Sequence, residues 1–245
     1  MSEANDRAYE GVDNLEAMAE ARNYNAFLAG LVVTRAQGLK PVADFGAGTG
    51  LLAEMIAEAG IDVVCIEPDP SLRERLRARS LVAHSGLDAV APESLPFAYS
   101  FNVLEHIEDD LAACQALYRR LAPGGRLLVY VPAFQVLFTA MDRKVGHFRR
   151  YTRASLVNQL SRAGFVIRQA EYVDSLGFFA ALVFKWLGGQ SGDIDKSAVK
   201  LYDSYLFPVS RVFDRVFCRL LGKNVLVVAE RPATSASNSA AAEAN

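Results

Sequence analysis

Apolar runs of strand length alternate with amphipathic segments of helix length along most of this 245-residue chain. The runs predict short buried strands in PVADFG, IDVVCIE, LVAHSG, FAYSFNV, RLLVYVP, FVIRQAEYV and NVLVVAE. The intervening segments predict helices over residues 14–36 and in TGLLAEMIAEAG, DPSLRERLRARS, EDDLAACQALYRRLAPGG and TRASLVNQLSRAG. This alternation indicates a largely parallel α/β sheet with helices on both faces. Ligands of such sheets bind beyond the carboxyl ends of the strands, so the loops there form the candidate site.

The composition is that of an ordinary globular domain, with 51% apolar residues and a formal net charge of −2. This charge balance gives no sign of nucleic-acid affinity, so no nucleic-acid partner is expected. The three cysteines lack metal-ligand spacing and indicate thiols in a reducing compartment. The acidic, polar N-terminus has no basic segment followed by an apolar run, so we expect no secretory signal. We therefore expect a cytoplasmic protein with one domain over residues 1–232 and a disordered tail over residues 233–245.

The loop DFGAGTG, residues 44–50, follows the first strand and opens a helix. Glycines at every second position let the backbone turn tightly and approach a ligand. The dinucleotide fingerprint G-x-G-x-x-G is not met, because residue 51 is leucine. Asp44 precedes the first glycine by two residues, and the next strand ends in Glu67, where a carboxylate can accept hydrogen bonds from ribose hydroxyls. A nucleoside ligand without a pyrophosphate fits this combination.

Together, DFGAGTG, CIEPDP and NVLEHIEDD followed by LAPGGRLLVYVP resemble the class I S-adenosylmethionine-dependent methyltransferases over about residues 40–170. The resemblance implies a Rossmann-like, seven-stranded sheet whose last strand, NVLVVAE, is antiparallel. It implies S-adenosyl-L-methionine as the cofactor and methyl transfer as the activity. By position, it places Asp44, Gly46, Ala47, Gly48 and Gly50 at the methionine part, Glu67 at the ribose, Pro68, Leu87 and Asp88 near the adenine, and Asn102 and Val103 near the sulfonium.

The segment NVLEH after the fourth strand leaves two roles open for its polar residues. His106 could act as the general base, since histidine titrates near neutral pH. Alternatively, Glu105 and His106 only begin the next helix and hold the cofactor loop. Some similar methyltransferases bind a divalent ion through Glu-x-x-Glu-His, but here the first position is Asn102. Because hard cations prefer carboxylates, we predict no metal.

The cationic stretch MDRKVGHFRRYT, residues 141–152, resembles a bacterial subgroup with a Gly-His-x-Arg-Arg-Tyr-Thr pattern. The alternative is a solvated charged loop with a threonine cap for the next helix. In the functional interpretation this loop binds substrate, and its histidine replaces His106 as the base. The fork of an arginine suits a carboxylate or phosphate, and a tyrosine could orient the acceptor. The residues concerned are His147 as base, Arg149 and Arg150 as substrate ligands, and Tyr151. In the first helix, Tyr24 and Asn25 are similar to the same subgroup's lid over the methionine carboxylate, the alternative being an ordinary helix surface.

An insertion over about residues 174–222 precedes the last strand. Its second helix carries an apolar stripe and an arginine row on different faces. The insertion could cap the substrate pocket, form a homodimer face, or rest on a membrane surface. We expect methylation of a small-molecule or lipid/glycan-linked acceptor at oxygen, in the cytoplasm or at the inner membrane surface, by a monomer or homodimer. N- or C-methylation and a non-catalytic cofactor-binding scaffold are the alternatives.

Overall fold

A seven-stranded sheet forms the centre of the computed structural model, which describes residues 12–186 and 196–233. The order of its strands is β3-β2-β1-β4-β5-β7-β6. The first five strands are parallel to one another, and β7 is antiparallel to both β5 and β6. The predicted fold class is therefore confirmed. The strands are β1 (Val42–Phe45), β2 (Val63–Ile66), β3 (Val82–His84), β4 (Leu95–Phe101), β5 (Leu121–Pro132), β6 (Val166–Val173) and β7 (Asn224–Glu230).

Helices cover the sheet on both faces and bury an apolar cluster on each. One cluster includes leucines of α5 and α7, and the other includes apolar residues of α2, α3 and α4. The connections between parallel strands thus place all their carboxyl ends on one rim. The helices are α1 (Val12–Met18), α2 (Arg22–Ala36), α3 (Leu51–Glu58), α4 (Pro70–Ala78), α5 (Asp110–Arg120), α6 (Ala140–Lys144) and α7 (Arg153–Arg162).

Two predicted boundaries are wrong. The single helix expected over residues 14–36 is two helices, because the chain turns after Met18, whose carbonyl accepts a hydrogen bond from the side chain of Asn25. Helix α5 ends at Arg120, and the following LAPGG extends into β5. The proline of that segment disfavours helix at the residue before it.

The insertion before β7 consists of helices α8 (Ser175–Trp186), α9 (Lys196–Leu201) and α10 (Phe207–Phe217), with a π-helical turn, Tyr202–Leu206, between the last two. The predicted joint over residues 188–193 lies outside the described residues, as do residues 234–245 of the predicted tail. No helix in the described part of the chain has the length and apolar character to cross a membrane.

The insertion is tied to the first helices through one buried carboxylate, Asp203. Its two oxygens accept hydrogen bonds from the backbone N–H groups of Asn23 (2.9 Å) and Tyr24 (2.8 Å). These N–H groups belong to the first turn of α2, where no intrahelical acceptor exists. The insertion therefore fixes the start of α2 beside the carboxyl rim of the sheet.

Candidate active site

The glycine loop follows β1 and lies against the end of β4. The φ of Gly46 is +85°, and a Cβ there would lie 2.4 Å from the side chain of Val103. Gly48 and Gly50 also have positive φ, which favours glycine. The glycines at 46 and 50 are thus required by close packing as well as by the turn, since a Cβ at Gly50 would lie 2.5 Å from Leu76.

Glu67, directly after β2, is buried and faces this loop. One carboxylate oxygen accepts a hydrogen bond from the N–H of Gly48 (2.8 Å) and the other accepts one from the N–H of Asp69 (3.0 Å). Burial raises its pKa, although these two backbone hydrogen bonds oppose the shift. Each carboxylate oxygen has a second lone pair, so Glu67 can still accept from a bound ligand.

Asp44, within β1, is buried beneath the same loop. Burial raises the pKa of Asp44 to about 7, against the effect of a hydrogen bond with Tyr99, and the charge of Glu67 raises it further. A carboxyl group that gains or loses its proton near neutral pH is typical of functional sites.

The end of β4 places Asn102 and Val103 at the centre of the rim. Asn102 has a positive φ of 54°, and Val103 packs on Gly46 as described above. Tyr24 of α2 lies close by: its ring meets Tyr130 edge to face, with centroids 6.1 Å apart. Burial raises the pKa of Tyr24 to about 12, against the effect of hydrogen bonds with Asn102 and Tyr130.

The remaining predicted cofactor residues contact different parts of the protein. Asn25 is buried and bonds to α1. Leu87 packs partly into the core, and Asp88 is exposed and pairs with Arg120 at 3.3 Å. Pro68 is exposed next to Glu67, and Ala47 packs against the second apolar cluster.

His147 is held by a buried carboxylate, Asp142, that the motif did not reveal as a site residue. The Nδ1 of His147 lies 2.7 Å from Oδ1 of Asp142. Arg150 binds the same carboxylate with both sides of its fork, at 2.8 Å and 3.0 Å. Burial alone would raise the pKa of Asp142, but hydrogen bonds from His147 and Arg150 outweigh it and hold the pKa well below its usual range. The carboxylate therefore stays charged and orients the imidazole.

His106 and Glu105 face this histidine from the turn after β4. The rings of His106 and His147 are perpendicular, with centroids 4.4 Å apart. Burial and the neighbouring His147 lower the pKa of His106 to about 4, so His106 is neutral at physiological pH. Burial raises the pKa of Glu105 to about 8, and its carboxylate oxygens have no hydrogen-bond partner among the described residues.

Glu105, His106 and His147 each offer one ligand atom, and these atoms lie within 4.8 Å of one another. Two imidazole nitrogens and one carboxylate oxygen are ligands that could hold a divalent transition metal. The sequence predicted no metal because Asn102 replaces a carboxylate, and that prediction stays open to the test described in the Discussion.

The remaining residues of the cationic loop are engaged with the protein itself. Arg149 contacts Asp110 at 2.9 Å and the carbonyl of Glu108 at 2.8 Å. The buried Tyr151 donates its hydroxyl to Asp110 at 2.6 Å. Both arginines and Tyr151 nevertheless line a surface cavity of about 320 Å³, together with Asp110, Ser155, Asn158 and Gln159.

Sequence reasoning missed Asp142 and Asp110, the two carboxylates that organise the loop. The signal for Asp142 was present: Thr139 and Asp142 form a capping box at the start of α6. The pattern showed a cap but did not show that the same carboxylate binds His147 and Arg150. Asp110 is 41 residues from Tyr151, so its contact depends on the tertiary fold.

The sequence model of the methyltransferase domain family matches residues 8–170, which include the glycine loop, Glu67 and the His147 loop. The chain belongs to the methyltransferase domain family. Its strand order is that of the class I S-adenosylmethionine-dependent methyltransferase fold. The cofactor is S-adenosyl-L-methionine, which supplies an electrophilic methyl group when bound.

Curated relatives agree with the family but cover only part of the chain. A "probable S-adenosylmethionine-dependent methyltransferase" of Mycolicibacterium smegmatis is 29% identical over 57% of this chain and 55% of its own. The ubiquinone biosynthesis O-methyltransferase of Xanthomonas campestris is 34% identical over 36% of this chain and 41% of its own. The methyltransferase thus spans about half the length of the curated relatives that it matches.

Solved structures show the same fold. A Haloferax volcanii methyltransferase, solved with its Trm112 activator, has a TM-score of 0.60 at 14% identity, covering 94% of this chain and 99% of its own. A Haemonchus contortus phosphoethanolamine N-methyltransferase solved with S-adenosyl-L-methionine has a TM-score of 0.55 at 16% identity, covering 84% of this chain and 52% of its own. At these identities the likeness concerns the fold alone.

The residues fit the cofactor on physical grounds. The glycine loop carries no side chain at residues 46, 48 and 50, and Glu67 is a buried carboxylate that could accept hydrogen bonds from sugar hydroxyls. Asp44 would hold the methionine part and Glu67 the ribose, and Val103 would line the site near the sulfonium.

Glu105 makes the stability of the methyltransferase depend on pH in a direction that can be checked. The pKa of Glu105 is raised to about 8 in the folded state, against about 4.5 in the unfolded chain. Between these two pH values the folded protein keeps a proton on Glu105 that the unfolded chain has lost. The stabilisation is therefore complete at acid pH and is lost as pH rises towards 8. Relative to wild type, Glu105→Gln is expected to gain about 1.4 kcal/mol in free energy of unfolding per pH unit between these limits.

Urea unfolding of both proteins at several pH values measures this difference. The exposed Glu108→Gln is the matched control, and its curve should run parallel to wild type. Parallel curves for Glu105→Gln as well would show that the buried carboxyl is ionised in the folded protein.

Proposed function

We propose that this methyltransferase methylates an oxygen of a small-molecule or lipid/glycan-linked acceptor, with His147 as the general base. The observation that carries the proposal is the 2.7 Å contact between Asp142 and Nδ1 of His147. An oxygen nucleophile must lose its proton during methyl transfer, and a histidine oriented by a carboxylate can take it. The other ring nitrogen, Nε2, is directed towards Glu105, 3.9 Å away.

The location of His147 supports its assignment as the general base. Glu105 is two residues from Val103, which contacts the cofactor loop at Gly46. His147 lies 3.9 Å from Glu105 and so is next to the segment that would line the cofactor site, which supports a role for it at the acceptor. His106 is less suited to accept a proton, because its lowered pKa makes the imidazole a weak base.

Similarity supports oxygen as the acceptor atom. The relatives from Xanthomonas campestris are named for O-methylation in ubiquinone biosynthesis. The bacterial subgroup defined by the LEH and Gly-His-x-Arg-Arg-Tyr-Thr motifs stays a prediction, as does a cytoplasmic location.

The sequence predicted Arg150 as a substrate ligand, but this proposal gives it a structural role. Its fork is occupied by Asp142, and its side chain is nearly buried. We assign it to fixing the orientation of that carboxylate. Arg149 is partly exposed, so an anionic group on the acceptor could compete with Asp110 for it.

Methyl-labelled cofactor offered with pairs of acceptors tests the proposal. Each pair consists of a phenol and the aniline with the same ring, so the members differ in the accepting atom. We expect label in the phenol, released as a methyl ether that resists mild alkali. Label found in the anilines alone would contradict O-methylation, and cofactor binding without transfer to any member would favour the scaffold alternative.

A further inference from the structure

Beyond the buried Phe207, helix α10 presents its large apolar side chains to the outside of the molecule. These side chains recur at helical spacing and form one stripe. Val216 is 72% exposed and Leu220, just beyond the helix, is 69% exposed. Free apolar side chains in such a row are unusual on a monomer and mark an interaction surface. The α10 stripe comprises Val209, Val212, Phe213, Val216, Phe217 and Leu220.

Two polar side chains of the same helix, Ser210 and Asp214, are buried. Asp214 accepts hydrogen bonds from the N–H groups of Asp174 (3.0 Å) and Ser175 (2.8 Å). Ser210 accepts one from the N–H of Leu176 (2.9 Å). These N–H groups lie at the start of α8, where they lack intrahelical acceptors. Rotating α10 to bury its stripe would break all three hydrogen bonds, so the outward orientation is fixed by the fold.

Helix α8, which packs against α10, adds further exposed apolar side chains. Phe179, Val183 and Phe184 are each about half exposed. Trp186 at the end of the helix is 82% exposed and is the single tryptophan of the chain. Tryptophan is favoured where an apolar ring meets a polar boundary, as at the surface of a bilayer.

The exposed charges of the insertion have one sign among its described residues, 175–186 and 196–223. The two carboxylates there, Asp203 and Asp214, are buried against backbone N–H groups. Asp193 and Asp195 lie outside the described residues. The side chains that remain at the surface are cations, namely Lys185, Lys196, Lys200, Arg215 and Arg219.

We propose that α8 and α10 dock the protein on an anionic lipid bilayer, with the α10 stripe and Trp186 entering the interface. An apolar helix face flanked by lysine and arginine is the pattern of a helix that lies in the plane of a membrane. Eleven residues make α10 too short to span a bilayer. Pairing of two copies through this face would instead bring like charges together, so the charge pattern favours lipid over a second copy.

Binding to lipid vesicles tests the proposal, and the fluorescence of Trp186 reports whether this residue enters the bilayer. The full chain is mixed with phosphatidylcholine vesicles with or without phosphatidylglycerol, and binding is followed by flotation and by tryptophan emission. We expect flotation with the anionic vesicles, together with a blue shift of the emission. Val216→Asp and Leu220→Asp should each weaken binding by about tenfold or more, because each places a charge in the apolar interface.

Matched controls separate this face from the rest of the surface. Val82→Asp changes an exposed valine of β3 at the opposite edge of the sheet, and it should leave binding unchanged. Arg215→Glu should weaken binding to anionic vesicles, whereas Arg77→Glu on the exposed side of α4 should not.

Two results would overturn the proposal. One is wild-type protein that fails to float with anionic vesicles. The other is a dimer, seen by light scattering and abolished by Val216→Asp, in a protein that shows no vesicle binding, since a second copy would then cover the stripe. The inference goes beyond the proposed function, and its readout needs neither cofactor nor acceptor. A failure to detect methyl transfer therefore does not contradict membrane docking, and a failure to detect docking does not contradict methyl transfer.

Discussion

Replacing His147 by glutamine is expected to lower kcat by about 100- to 10,000-fold, the usual contribution of a positioned general base. Glutamine can keep a hydrogen bond to Asp142, so the buried carboxylate retains a partner and the loop keeps its shape. The binding constant of S-adenosyl-L-methionine should stay within about threefold of wild type, because the proposal assigns the histidine to the acceptor and not to the cofactor. Steady-state transfer of labelled methyl at saturating substrate measures kcat, and calorimetric titration of the cofactor measures its binding constant.

The other two histidines are the controls for this experiment. His106→Gln should reduce kcat far less, since His106 is already neutral and weakly basic. His84→Gln, at the end of β3, should have no effect. A loss in His106→Gln equal to or larger than that in His147→Gln would move the base to His106.

Treatment with a chelator distinguishes two roles of His147, a general base and a metal ligand. Activity that survives prolonged treatment with a chelator supports His147 as a base. Activity that is lost and then restored by manganese would show that Glu105, His106 and His147 act as ligands, and would contradict the prediction that no metal is used.

Replacing Glu67 by alanine is expected to weaken cofactor binding by about 100-fold or more. Two hydrogen bonds to a charged acceptor contribute about 1.5–3 kcal/mol each, which corresponds to this range in Kd. Glu67→Gln should fall between wild type and alanine, because the amide keeps one acceptor oxygen and can still close the loop onto Gly48. Titration of S-adenosylmethionine and S-adenosylhomocysteine into each protein provides the test.

The exposed Glu58→Ala on α3 controls for the loss of a carboxylate. Thermal unfolding of each variant without ligand shows whether the loop has collapsed. A folded Glu67→Ala protein that binds the cofactor within about threefold of wild type would mean that Glu67 only fastens the glycine loop to Asp69.

The sheet and the cofactor loop could be predicted because their signals are local. A strand ending in DFG, glycines at every second position and a second strand ending in Glu67 all lie within 24 residues of sequence. The constraints on Gly46 and Gly50 are steric, and only glycine meets them. Such patterns report directly on backbone geometry.

The organisation of the cationic loop could not be predicted in the same way. His147, Arg149 and Arg150 were recognised as candidates, but their charges alone do not say which carboxylates they meet. Asp142 binds two of them and is fully buried, a result of packing that spacing does not encode. Similarly, periodicity places the α10 stripe on one face without stating whether that face points inward.

Asp203 joins the insertion to the start of α2 through the N–H groups of Asn23 and Tyr24. Tyr24 in turn lies beside Tyr130, at the carboxyl rim. The insertion is therefore not an interchangeable module that could be transplanted between homologous enzymes. Exchange for a homologous segment without a carboxylate at the position of Asp203 would leave the first turn of α2 without its acceptor, so diversification of residues 174–222 is constrained to keep that carboxylate.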